Sequence, residues 1–372
     1  MRIKNCSITG ELNNSHLKTA IIGTEAFAIH SDSRRNLFLF TILTFLLICF
    51  FIVDLFSGSV SITISDIFKS VFNYTGDNLD TIILKFRIPR TLTAVIVGVA
   101  LSLSGLQMQT IFRNPIAGPY VLGISSGASL GVAIVILGFS SSLVPGNLHT
   151  LGNWILVAAS WTGAGAVTIL IMLISSKVKD IMTILILGLM LASGISAIVS
   201  IMQYFSNETL LKAYVIWTLG SIGNLSGSQL QVLLMSVSAG ILMSIFAAKM
   251  LNALLLGENY AASIGLNVRF SRVIIFTSTS ILAGSVTAFC GPIGFIGIAV
   301  PHIARIIFRT ADHRILIPGC IFTGSIIMLV SDIISQVPGS DNILPVNSVT
   351  SLIGIPVVIW VIISNRKDRG LF

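Results

Sequence analysis

Apolar residues in this chain run in long blocks and do not alternate with polar ones. Residues 91–112, 114–176, 181–207, 213–248, 273–304 and 342–365 contain no Asp, Glu, Lys or Arg. A helix crosses a bilayer with about 20 apolar residues, so several of these blocks must hold two spans, or a span and a loop. Turn residues and charges cut the apolar sequence as a whole into ten predicted helices, near 37–56, 91–110, 117–137, 153–174, 181–204, 229–249, 271–290, 293–309, 315–335 and 344–363. The predicted fold class is all-α: a polytopic membrane protein with about ten transmembrane helices.

Two segments between these helices are too polar to span. Residues 205–228 predict a loop with a short amphipathic helix, and 250–269 mix Leu, Ala, Gly257 and Gly265 with one acid, which predicts short helices lying against a surface. Asn207-Glu208-Thr209 matches a glycosylation sequon, a pattern too weak to use. Gly123, Gly127 and Gly131 recur every four residues, a spacing that lets a neighbouring helix backbone approach closely. Pro292, Pro301 and Pro356 enter or interrupt late helices, with Gly291, Gly294 and Gly297 beside the first, as in helices broken along a pathway or merely kinked.

Composition agrees with the pattern. The chain is 54% hydrophobic and 10% charged, with mean hydropathy +0.96. Its +8 charge comes from cations scattered singly between apolar runs, without interleaved aromatics, so a nucleic-acid partner is not expected. The four cysteines show neither CxxC nor zinc spacing, so no metal site, cofactor or disulfide framework is predicted.

Charge also orients the chain. With the N-terminus inside, the inner segments hold 17 of the 22 Lys and Arg, while the acids divide evenly at 7 and 7. Both termini are therefore expected in the cytoplasm. Residues 1–35 read as a polar tail, 36–365 as the ten-helix domain and 366–372 as a second tail. A signal peptide would place its apolar core closer to Met1. Lys85, Arg87 and Arg90 are the main exception to the charge rule, falling in the predicted outer loop between the first two spans.

Much chemistry is absent. There is no G-x-x-x-x-G-K-[ST] phosphate loop, no H-E-x-x-H and no G-x-S-x-G. An ion-coupled carrier normally places acids near the membrane midplane, whereas Asp54, Asp180 and Asp332 fall near predicted helix ends. His302, beside Pro301, reads either as a substrate contact or as a histidine bonded to a neighbouring helix. What remains is a permeation unit without an energy source of its own.

Three stretches carry a resemblance: RIPRTLTAVIVGVALSLSGLQMQTIFRNPIAGPYVLGISSGASLG (87–131), LLLGENYAASIGLNV (254–268) and GPIGFIGIAVPHIARIIFRTADHR (291–314). Together they resemble the FecCD-type permeases of ABC importers for iron-siderophores, haem and vitamin B12, from about residue 37 to 363. The resemblance implies a bacterial inner-membrane, multi-pass subunit that is not itself an enzyme. Its implied partners are a second permease chain (identical or paralogous), a cytoplasmic ABC ATPase dimer and an external substrate-binding protein, besides membrane lipid.

The resemblance also implies site residues. Arg87 and Arg90, with Lys85 assisting, align with external cations that pair with glutamates on the binding protein, and Pro89 would hold the two guanidinium groups in a defined relation. Relatives often carry another arginine where this chain has Gln336. Residues 251–268 match the short helix pair that enters the ATPase groove: Gly257 and Gly265 would shape its turns, Leu256 and Ala262 fill the groove, and Glu258 meet an ATPase cation. Ile181 and Met182, at the start of the fifth span, match the inner gate. Among cargoes the resemblance favours an iron-siderophore, carried along a path of small and apolar residues. The readings set against it are an ion-coupled secondary transporter and a membrane scaffold or receptor without transport.

Overall fold

The structure, a computed structural model, describes residues 12–58, 60, 62–72, 76–138, 148–178, 180–223, 225–336 and 343–368. The helices are α1 (Leu12–Phe56), α2 (Ile64–Phe72), α3 (Asn78–Thr81), α4 (Ile88–Ile111), α5 (Ile124–Ala133), α6 (Leu148–Lys177) and α7 (Ile181–Tyr204), followed by α8 (Glu208–Thr218), α9 (Gly227–Leu255), α10 (Glu258–Ser263), α11 (Val268–Cys290), α12 (Ile296–Phe308), α13 (His313–Ser335) and α14 (Val346–Asp368). No strand occurs among the described residues.

All ten predicted apolar helices are present. Seven are long and apolar enough to cross a membrane, and three, at 124–138, 296–308 and 346–360, are shorter. The contacts divide the chain into two units, residues 1–45 and 46–372. In the first, Leu37, Phe38 and Phe45 of α1 are exposed, as lipid-facing side chains would be. Helix α1 reaches back to Leu12, so the stretch read as an unperiodic tail is helical from there; the rest of that tail, 1–11, and the end of the other, 369–372, lie outside the described residues.

Helix α4 forms the axis of the second unit and is buried almost throughout from Thr91 to Ile111. Glycine makes this possible. A Cβ on Gly105 would lie 1.7 Å from the Gly297 carbonyl oxygen, and one on Gly98 would lie 2.3 Å from that of Gly324, so α12 and α13 touch α4 backbone to backbone. Polar side chains then join these helices. Gln107 Nε2 donates to the Ser244 and Ser278 hydroxyls at 2.6 and 3.0 Å, and its Oε1 accepts from Thr279 at 2.8 Å, linking α4 to α9 and α11. In an apolar surround each such bond contributes roughly 0.6 kcal/mol.

The glycine repeat of the third predicted span does join two helices, with one correction. A Cβ on Gly131 would stand 1.9 Å from the Ala159 carbonyl oxygen and one on Gly127 would stand 2.5 Å from that of Gly163, which seats α5 on α6. Gly123 instead breaks the predicted helix: residues 119–122 form a 3-10 turn, Gly123 takes φ +73°, and α5 starts after it. The break at 291–295 is likewise a distinct structure. Its backbone bonds to side chains, with Ile293 N–H donating to the Tyr120 hydroxyl at 3.1 Å and Gly294 N–H to Asn347 Oδ1 at 2.9 Å, so non-helical chain is satisfied by protein.

Helix contacts define two ends. Arg90, at the start of α4, meets Asp332 near the end of α13. At the other end, Thr110 meets His313 at the start of α13, and His313 meets Asn252 near the end of α9.

Candidate functional site

At the first end the predicted loop is helix. Residues 82–87 form a π-helical turn that runs straight into α4, with Pro89 in its first turn. Proline has no N–H to give and its ring crowds the preceding turn, and a widened turn accommodates both effects. Pro89 thus lies within a continuous helix from Asn78 to Ile111 and does not stiffen a loop.

Arg87 and Arg90 share a cavity of about 690 Å³, lined also by Gly58, Phe86, Gly223 and Gln336. Lys85 is exposed and does not line it. The two guanidinium groups are held differently. Arg87 donates from Nη1 to the Leu55 carbonyl at 2.9 Å and from Nη2 to that of Val60. Gly58, at φ +136°, crosses directly over it, where a Cβ would approach Nη2 to 2.9 Å. Arg90 grips Asp332 with two nitrogens, Nε to Oδ2 at 2.9 Å and Nη2 to Oδ1 at 2.7 Å, a charge-assisted fork. Asp332 is fully buried, and the Arg90 side chain is 16% exposed.

Gln336 occupies the position where an arginine was looked for. Its amide donates to Asp54 at 3.0 Å and to Asp332 at 3.1 Å, bridging two buried carboxylates. Sequence reading placed both acids near helix ends, as they are, and missed that Asp332 holds Arg90 and that Gln336 joins Asp54 to it.

The opposite end carries the segment between α9 and α11. Helix α9 continues to Leu255, since Met250, Leu251, Ala253, Leu254 and Leu255 are strong helix formers, so the expected pair of short helices reduces to α10 alone. Gly257 (φ +105°) and Gly265 (φ +86°) make the turns on either side, at dihedrals a side chain resists. Leu256 (63% exposed), Ile264 (58%) and Tyr260 (49%) turn outward, and Ala262 is exposed beside them. Tyr260 and Ile264 were not singled out from sequence, although four-residue spacing from Leu256 would have found them.

Glu258 faces inward. Arg272 of α11 donates to it from Nε at 2.8 Å and from Nη2 at 2.5 Å, and from Nη1 to the Val178 carbonyl at 3.1 Å. Val178 directly follows α6, two residues before Asp180, the N-cap of α7. The Asp180 carboxylate accepts from Thr183 Oγ1 at 2.6 Å and from the backbone N–H groups of Thr183 and Met182 at 2.9 and 3.3 Å. The Thr183 hydroxyl first, then its N–H, and more weakly the charge of Arg272 hold this carboxyl below the usual range. Of the expected gate pair, Ile181 is half-buried and Met182 is 44% exposed.

His302 Nε2 lies 2.8 Å from the Pro115 carbonyl oxygen, the bonded-neighbour alternative for that residue. A second cavity, of about 250 Å³, lies between α5, α7 and α8. Ser125, Ser126, Ser129, Ser196 and Ser200 line it, so this surface carries hydroxyls among its small residues.

Comparison with known proteins adds four findings. The model of the FecCD transport family matches residues 46–364. The chain is 34% identical over 330 residues to the hemin transport system permease protein HmuU of Yersinia pestis, covering 88% of this chain and 97% of the relative. It is 32% identical over 339 residues to the vitamin B12 import system permease protein BtuC of Citrobacter koseri, covering 90% and 97%. A solved inward-facing conformation of a metal-chelate type ABC transporter superposes with TM-score 0.75 at 26% identity, covering 88% of this chain and 99% of that one.

Proposed function

The chain belongs to the FecCD transport family, and from that premise we propose that it is the bacterial inner-membrane permease subunit of an ABC importer for a metal chelate. The observation that carries this reading is the pairing of an arginine-lined cavity at one end with a short, apolar-faced helix at the other. An importer needs a recognition surface on one side of the membrane and an engine-facing surface on the other. This sequence contains no phosphate loop, so hydrolysis is assigned to an ABC ATPase dimer seated on α10.

In this reading the arginine end faces outward, following the Lys and Arg count, and a second permease chain completes the pathway. Arg87 offers its charge to a carboxylate on the binding protein. Arg90, pinned by Asp332, stiffens that surface, and the exposed Lys85 adds attraction at its rim. Leu256, Tyr260, Ile264 and Ala262 enter the ATPase groove, Gly257 and Gly265 set the angle of entry, and Ile181 and Met182 close the inner gate. The cargo class is a ferric siderophore, haem or a corrin.

Purification from native membranes tests the assembly. The chain should bring down an ATPase with vanadate-sensitive hydrolysis, and Leu256→Asp with Tyr260→Asp should release it. A chain that purifies without any ATPase, or that keeps it in the double variant, overturns the assignment.

A further inference from the structure

We infer that Arg272 is a positioning residue that carries movement of α10 to the start of α7. This rests on the reading of α10 as the ATPase-facing element, and it names the route by which that element reaches the gate.

The geometry is specific. One guanidinium group spends Nε and Nη2 on Glu258, the first residue of α10, and Nη1 on the Val178 carbonyl in the linker that precedes α7. Its side chain is 4% exposed, that of Glu258 23%, so the pair is screened little by water. A planar fork with donors on two edges transmits a displacement that a flexible ammonium would absorb. Lysine could make either contact, not both in this orientation.

Little packs on the exposed side of α10 and its flanking turns. Gly265 has nothing within 4 Å of where a Cβ would be, and Leu256, Tyr260 and Ile264 face away from the chain. Ala261 is its buried anchor. A push on the exposed face therefore meets resistance chiefly through Ala261 and through Glu258, and the second route leads to Val178. Asp180, the cap of α7 on which the Arg272 charge acts, and Met182 follow Val178 by two and four residues in sequence. The Asn252 cluster, by contrast, ties α9 to α13 and α4 through Asp312, His313 and Thr110, which are frame helices with no element of the gate among them.

The test uses the complex of this chain with its ATPase in proteoliposomes, with Cys6 and Cys49 changed to Ser and Met182→Cys as reporter. A membrane-impermeant maleimide is the probe, applied with and without ATP and vanadate. With Arg272 present, trapping should change the labelling rate; Arg272→Ala and Glu258→Gln should each reduce that change roughly tenfold while ATP hydrolysis continues. The charge-swapped pair Glu258→Arg with Arg272→Glu should restore assembly through the ion pair but not the labelling change, because a glutamate at 272 has no N–H for the Val178 carbonyl; full recovery of the change would overturn the route through Val178. Should Arg272→Ala fail to assemble, Glu258→Gln, which keeps shape and loses charge, decides the matter. Equal labelling changes in the parent and in Glu258→Gln overturn the link. No labelling change even in the parent overturns the transport reading itself.

Discussion

Two arginines, Arg90 and Arg272, each grip one carboxylate with two nitrogens, and they sit at opposite ends of the same bundle. Arg90 binds Asp332 across α4 and α13, helices already locked together through Gly98 and Gly324. Arg272 binds Glu258 on α10, a helix of six residues with open surface around it. The same chemistry thus has opposite mechanical meaning. Between two immobile helices an ion pair stiffens a surface, and between a frame helix and a loosely packed one it becomes a lever.

Glycine substitutions should separate the two regions most strongly. Gly105→Ala would drive a Cβ into the Gly297 carbonyl, where neither backbone can retreat, and should cost at least about 4 kcal/mol. Gly265→Ala meets only the strain of its positive φ and should cost about 1 kcal/mol. Thermal unfolding in detergent measures both, and similar losses would erase the distinction between frame and lever.

Next in size is the pair of Arg90 and Asp332. Asp332→Ala leaves the Arg90 guanidinium without its carboxylate and should destabilise by about 3 kcal/mol. Unchanged thermal stability would mean that Arg90 finds another partner in the cavity. Arg87→Ala loses two bonds to carbonyls, at about 2 kcal/mol together, and should also abolish stimulation of ATP hydrolysis by the binding protein. Retained stimulation in that variant would move the docking role elsewhere.

Much of this was legible in the sequence. Ten apolar segments give ten helices because a lipid environment leaves a backbone no other way to satisfy itself. The cation count singled out residues 85–90, since a charge placed against the general bias needs a reason. The pairings were not legible. Arg90 and Asp332 are 242 residues apart, and the pairing of Glu258 with Arg272 depends on how α10 folds back after Gly257. Gly123 also escaped, because four-residue spacing describes helix faces and cannot show which glycine has left the helix.

The smallest expected effect concerns pH at the receiving end of the lever. The Asp180 carboxyl lies below its ordinary range in the folded chain, so its cap on α7 is fully present above the usual carboxylate pKa. It is lost as pH falls through the depressed value. Amide exchange at Met182 and Thr183 should therefore quicken on acidification, and Asp180→Asn should flatten that dependence. A profile unaltered by the substitution would remove Asp180 from the start of α7 as a working cap.

The central claim is tested most directly by uptake into proteoliposomes containing the chain and its ATPase, with the binding protein on the arginine side. Haemin, cyanocobalamin and a ferric hydroxamate are offered in parallel. The account predicts accumulation of one of them that requires ATP and the binding protein and persists when ionophores collapse every ion gradient. Accumulation without ATP, driven by a proton or sodium gradient, would contradict it.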